Sequence, residues 1–242
     1  METTILRPNA ERANIAIVFL VVQLIASLAL AVVPAYIQFQ MQTGEMSELL
    51  YKYQDFLPGV VGLALIVAAI GLTGTILLIR WFRRAYFNLH SCGIPNLRHS
   101  EGWAAGAWFV PILNWVWPYQ IMVDIWNFTQ SWYQPDPNNY EHKPAKLPGI
   151  WWTLTIGGVV LGFISAFAGA GSPDEVSTFL SLLANISSLA ASVVLIQIIR
   201  QMIPMEAELE RRAQQYNVAV AQQREEYERL QRMQQPDQNN FQ

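Results

Sequence analysis

The chain has 242 residues, 52% hydrophobic and only 14% charged, against roughly 25% charged in soluble domains. So little charge cannot cover a water-exposed surface, and the composition points to an integral protein of the lipid bilayer. A net charge of −3 supplies no basic footprint for nucleic acid, and Cys92, the single cysteine, excludes an intramolecular disulfide.

Four apolar segments, 14–37, 58–79, 149–170 and 176–199, are each long enough to cross roughly 30 Å of hydrocarbon. Arg7 and Arg12 precede the first, as they would a secretory signal. Its apolar core is longer than the usual signal core of about 7–15 residues, and further spans follow, so it predicts an uncleaved transmembrane helix. Gln23 in the first span and Asn185 in the fourth read as interhelical hydrogen-bonding groups, with a polar solute path as the alternative.

Where the second span ends, Arg80, Trp81, Arg83, Arg84 and Tyr86 read as an interfacial anchor, basic heads on phosphates and rings at headgroup depth. Arg83 or Arg84 is expected to pair with Glu101 or Asp124. His90, Cys92 and His99 follow closely, but not at the spacing of a zinc site. With no Gly-rich phosphate cradle, nucleophile elbow or metalloprotease motif, the sequence assigns no metal, cofactor or catalytic residue and predicts no enzyme.

Residues 102–126 are apolar and rich in tryptophan, yet Pro111 and Pro118 interrupt them with Asn114 between. Charge decides whether they cross. If they do not, Arg7, Arg12, Arg80, Arg83, Arg84, Arg98, Lys143, Lys146, Arg200, Arg211 and Arg212 share one side, eleven against Lys52 alone. If they do, the two sides are equal. Basic residues concentrate on the cytoplasmic side, so the segment is predicted to enter and leave there, with both chain ends cytoplasmic. A re-entrant hairpin turning at Pro111–Pro118 and a bent interfacial helix both satisfy this.

Gly158, Gly162, Ala166 and Ala170 form a small-residue stripe on the third span, and Ala184, Ser188 and Ser192 another on the fourth, so these helices should pack closely. Beyond Arg200, Leu209, Ala213, Tyr216, Val220, Tyr227 and Leu230 recur at helical spacing, with acid–base pairs four apart. Residues 200–234 therefore predict a cytoplasmic amphipathic helix whose balanced charge suits docking on protein rather than on lipid, and 235–242 a disordered tail. Residues 1–199 form the transmembrane domain, and the fold class is an all-α membrane bundle of four spans plus the proline-broken segment.

The run Trp81-Phe82-Arg83-Arg84-Ala85-Tyr86-Phe87-Asn88-Leu89, then Gly102-Trp103, Trp108 to Pro111, Asn114, Pro118-Tyr119-Gln120 and Ile125-Trp126, resembles the signature of the domain of unknown function 4328 family. The resemblance implies a multi-pass protein of a bacterial cell (inner) membrane and supplies no activity or substrate. Its motif residues Arg83, Arg84, Asn88, Trp108, Pro111, Asn114, Pro118, Tyr119, Gln120 and Trp126 are the candidate structural or functional site. The expected function is a non-enzymatic scaffold or regulatory protein whose C-terminal helix contacts a cytoplasmic protein; the alternative is a small transporter or channel component built around Pro111–Pro118. Nothing in the sequence sets an oligomeric state.

Overall fold

The computed structural model describes residues 5–43, 57–134, 142–169 and 175–234. The predicted disordered tail 235–242, Lys52 and Ala170 lie outside the described residues. The described chain is helical: α1 (Ala10–Thr43), α2 (Leu57–Ser91), a single turn α3 (Trp103–Gly106), a 3-10 turn (Leu113–Trp115), α4 (Trp117–Ser131), α5 (Lys146–Ala168) and α6 (Glu175–Gln234). Four of these, α1, α2, α5 and α6, are long and apolar enough to cross a membrane.

These four pair as neighbours in sequence, α1 on α2 and α5 on α6, with α1 also touching α6. The second pair approaches most closely at Gly158, where an added Cβ would meet Ser188 Oγ at 3.1 Å and the Ala184 carbonyl at 3.3 Å. Ser187 Oγ donates to the Leu154 carbonyl at 2.8 Å across the same contact. The predicted stripe is used unevenly, for Gly162 only reaches ordinary contact with Ala184 Cβ at 4.0 Å, and Ala166 is exposed.

The expected bonding of the buried amides is not what forms. Gln23 donates to Ser27 of its own helix at 3.2 Å, and its Oε1 lies buried against Gly71 without a hydrogen-bond partner. Asn185 is exposed. Close approach at Gly71 and Gly74, not an interhelical hydrogen bond from Gln23, seats α1 on α2.

The core sits at one end of the bundle. Trp81, Phe82, Tyr86 and Leu89 of α2 are fully buried against Ile121, Met122, Ile125 and Trp126 of α4 and Ile198, Ile199 and Met202 of α6. The long helices instead expose bands of large apolar side chains, such as Val18, Ile25, Leu65, Leu72, Phe163, Phe167, Phe179 and Ile186. In water such bands are unfavourable; hydrocarbon matches them.

Two helices run well past their apolar stretches. α2 continues beyond Ile79 to Ser91, where Gly93 at φ +64° takes the left-handed position that ends a helix, its N–H on the His90 carbonyl. α6 runs without interruption through Pro204, so residues 200–234 continue the fourth apolar helix rather than forming a separate one. Pro204 is exposed, where water can serve the Arg200 carbonyl that loses its helical partner.

Candidate functional site at the basic end of the bundle

Residues 102–126 are broken between Gly106 and Trp117 rather than forming one continuous helix. They make the α3 turn, a loop through Pro111, the 3-10 turn with Asn114, and the start of α4. Pro118 occupies the first turn of α4, where its missing N–H removes no helical bond. Its neighbours Ile121, Met122, Ile125, Trp126 and Thr129 are buried at three- and four-residue steps, so α4 is an amphipathic helix filling the core. The loop before it exposes Phe109 (75%) and Ile112 (83%), with Trp115 and Val116 also outward. That apolar edge is anchored to α5 by the Trp152 indole N–H on the Trp115 carbonyl at 3.0 Å.

Trp81 and Tyr86, read as interfacial anchors, are core residues instead. Trp81 and Tyr86 are fully buried, and Trp126 is buried with its N–H on the Lys143 carbonyl at 2.8 Å. Trp108 is half-buried, edge-on to Phe82 with ring centroids 5.8 Å apart. The indole N–H groups of Trp81 and Trp108 are buried without an acceptor.

A polar network holds the 92–102 loop between α2 and α4. Tyr86 OH donates to the His99 carbonyl at 2.9 Å, and the His99 N–H returns to the hydroxyl at 3.1 Å. His90 Nε2 meets the same carbonyl at 3.1 Å, and His99 Nε2 lies 2.8 Å from Gln120 Oε1. Asp124 is 3% exposed; it accepts from the Arg98 N–H and pairs with the Arg98 side chain at 3.3 Å. Burial pushes the Asp124 carboxyl up, and pushes the Tyr86 hydroxyl up to about 12. Of the two expected pairings, Arg83–Glu101 forms at 3.2 Å, whereas Asp124 takes Arg98. Cys92 is buried, its thiol pushed up to about 12 by that burial, and among the described residues no His, Cys, Asp and Glu gather as a metal site would require.

Asn88 is buried and holds the segment before α1: its Oδ1 accepts from the Arg7 N–H, and its Nδ2 donates to the Arg7 carbonyl, both at 3.0 Å. Arg7 then lies 4.5 Å above the Phe87 ring, and Arg84 5.8 Å from it. Arg7, Arg12, Arg80, Arg83 and Arg84 surround a cavity of about 210 Å³, with Phe87 and Glu101. Of the motif residues, Arg83 and Arg84 thus line this groove, Asn88 holds Arg7 beside it, and Gln120 belongs to the network. Trp108, Pro118 and Trp126 build the core or start a helix, Tyr119 is half-buried beside them, and Pro111 and Asn114 lie in the outward loop.

Arg212 was not among the sequence candidates, yet it is 1% exposed. Its guanidinium donates to the carbonyls of Thr129 at 2.6 Å and Gln130 at 2.9 Å, and to that of Trp132. These are last-turn and C-cap carbonyls of α4, without helical donors and at the negative end of the helix dipole. Around it, Leu209, Ala213 and Val220 are buried and Tyr216 stacks edge-on against Trp132 and Tyr133. Four of the six residues of the predicted apolar face are used: Tyr227 and Leu230 are exposed.

A family model described as a domain of unknown function (DUF4328) matches residues 43–203, which takes in the core, the polar network and most of the groove. Arg7 and Arg12 lie before the match and Arg212 after it. No curated protein and no solved structure matches the chain.

Proposed function

The chain belongs to the DUF4328 family, and from that premise we propose a non-enzymatic multi-pass protein of the bacterial inner membrane, a scaffold or regulator with its basic end in the cytoplasm. The observation that carries this reading is the end of α6. From Ala221 to Met233 every residue is exposed, while the helix continues unbroken from the docked stretch. At 1.5 Å per residue this arm projects roughly 20 Å. It presents Tyr227, Leu230 and Met233 among Arg and Glu, a surface suited to a protein partner.

The gathering of Arg7, Arg12, Arg80, Arg83 and Arg84 around one cavity, and of Lys143, Arg200 and Arg212 around another, supports a cytoplasmic placement of that end. A transporter built on Pro111–Pro118 has less support, because Asn114 is flanked by Ile112, Leu113, Trp115 and Val116 rather than by polar groups. Deleting 222–234 should leave the thermal unfolding of the bundle unchanged and abolish co-purification of a cytoplasmic protein from native membranes. Retention of every co-purifying protein by the deletion removes the arm's role. Cysteines replacing Ser131 and Glu175, both exposed, in a Cys92→Ser background should label from opposite sides of the membrane; labelling from one side removes the four-span topology.

A further inference from the structure

We propose that the arginine groove between the start of α1 and the end of α2 binds the headgroup of an anionic phospholipid carrying two phosphates. The groove draws on both ends of its own chain order: Arg7 and Arg12 come from the N-terminal segment, and Arg80, Arg83 and Arg84 from α2. Asn88 fixes Arg7 there through both of its peptide groups, so the site is built rather than a chance meeting of surface side chains.

Its charge is only partly compensated. Glu101 is engaged with Arg83, and Glu11 lines the adjoining cavity, so five guanidiniums face two carboxylates. Among the described residues, no carboxylate lies within ion-pairing distance of Arg12, Arg80 or Arg84. Burial and the neighbouring Arg12, Arg7 and Arg83 depress the Arg84 guanidinium, with Glu101 opposing them. Guanidiniums bind phosphate oxygens through paired N–H donors, and two of them gather beside the Phe87 ring.

The lipid source is favoured over a free phosphate by what adjoins the groove. A second cavity of about 390 Å³ shares Arg12, Arg80 and Arg84 and is walled by Ile15 and Leu77, which stand on the apolar stretches of α1 and α2. A headgroup on the arginines would lay its glycerol and acyl chains along this wall. A free phosphate would leave the wall in contact with water. Basic pockets between membrane helices at the cytoplasmic face recognise such headgroups.

The test uses the full-length protein in neutral detergent, with lipid binding read by native mass spectrometry and by thermal midpoint. Cardiolipin should bind and raise the midpoint, phosphatidylglycerol less so, and phosphatidylcholine not at all. Replacing two groove arginines, R12Q together with R84Q, should weaken cardiolipin binding about thirtyfold. The same variant without lipid should melt no lower than wild type, because it relieves repulsion between guanidiniums. R211Q, on the exposed side of α6 and paired with Glu208, should bind cardiolipin as wild type does. Equal binding of phosphatidylcholine, or equal loss in R211Q and the groove variant, overturns the proposal. Inorganic pyrophosphate binding as tightly as cardiolipin also overturns it, in favour of a soluble anion.

Discussion

Asn88 and Arg7, 81 positions apart, are joined through both faces of one carboxamide: the Arg7 N–H donates to it and the Arg7 carbonyl accepts from it, each at 3.0 Å. Gln130 does the same for Lys143, accepting from its N–H at 2.9 Å and donating to its carbonyl at 3.2 Å. In both cases a buried amide on a helix end substitutes for the secondary structure that a non-helical entry segment lacks. Asn88→Ala orphans both peptide groups of Arg7 at this site. It should lower stability by about 1–3 kcal/mol, the cost of unsatisfied buried groups. Arg7 precedes Pro8 and resists trypsin, but trypsin should then cut after Arg12, at the start of α1, faster than in wild type. An unchanged cleavage rate would show that the strap is held by something other than Asn88.

Arg212 fastens α6 to α4, and its removal should free the arm without dissolving the bundle. Arg212→Ala removes the guanidinium from the Thr129, Gln130 and Trp132 carbonyls, leaving Gln130 the Gln134 side-chain amide, and should cost about 3 kcal/mol locally. Chymotrypsin should then reach Tyr216, which the wild type packs between Trp132 and Tyr133. Val220→Asp, which places a charge at a buried contact lower on the same face, should do the same. Protection of Tyr216 in both variants would mean that the arm is held by other contacts.

Gly158→Leu should destabilise the α5–α6 pair strongly, since even a Cβ there meets a serine hydroxyl at 3.1 Å and a backbone carbonyl at 3.3 Å. Gly162→Leu should cost much less, having first contact only at 4.0 Å. Overpacking of this kind typically costs about 1–3 kcal/mol. Equal losses in detergent-solubilised thermal unfolding would contradict the observed closest approach.

The four long helices and the Gly158 contact were legible because hydrophobic length and small-residue spacing report directly on membrane geometry. The packing roles of Trp81, Trp126 and Pro118 were not legible because tryptophan and proline each carry two meanings. Trp81 and Trp126 are as apolar in a core as at an interface, and Pro118 starts a helix as readily as it breaks one. The better signal was the spacing of Pro118, Ile121, Met122, Ile125, Trp126 and Thr129, which already describes one face of a helix. Arg212 left no trace of its role. Its partners are backbone carbonyls some 80 positions earlier, and beside Glu208 it reads as an ordinary solvated i,i+4 pair.

Glu206 makes stability pH-dependent. It is half-buried where α6 passes the start of α1, accepting from Asn9 Nδ2 at 2.9 Å, while the same amide reaches the Trp81 carbonyl at 3.2 Å. Burial pushes its carboxyl from 4.5 up to about 7, and the Asn9 hydrogen bond offsets only part of that. Between these two values the folded chain holds a proton that the unfolded chain has lost, so stability falls as pH rises through that window and levels off above about 7. Asp124 is shifted in the same direction from 3.8, so it adds a decline that begins at lower pH. Glu206→Gln keeps an acceptor for Asn9 but has nothing to ionise. The variant should match wild type at pH 4, exceed it at pH 8, and lack the decline that Glu206 contributes between. Thermal midpoints across that range decide the matter: a wild-type slope persisting in Glu206→Gln would assign the pH dependence to another group.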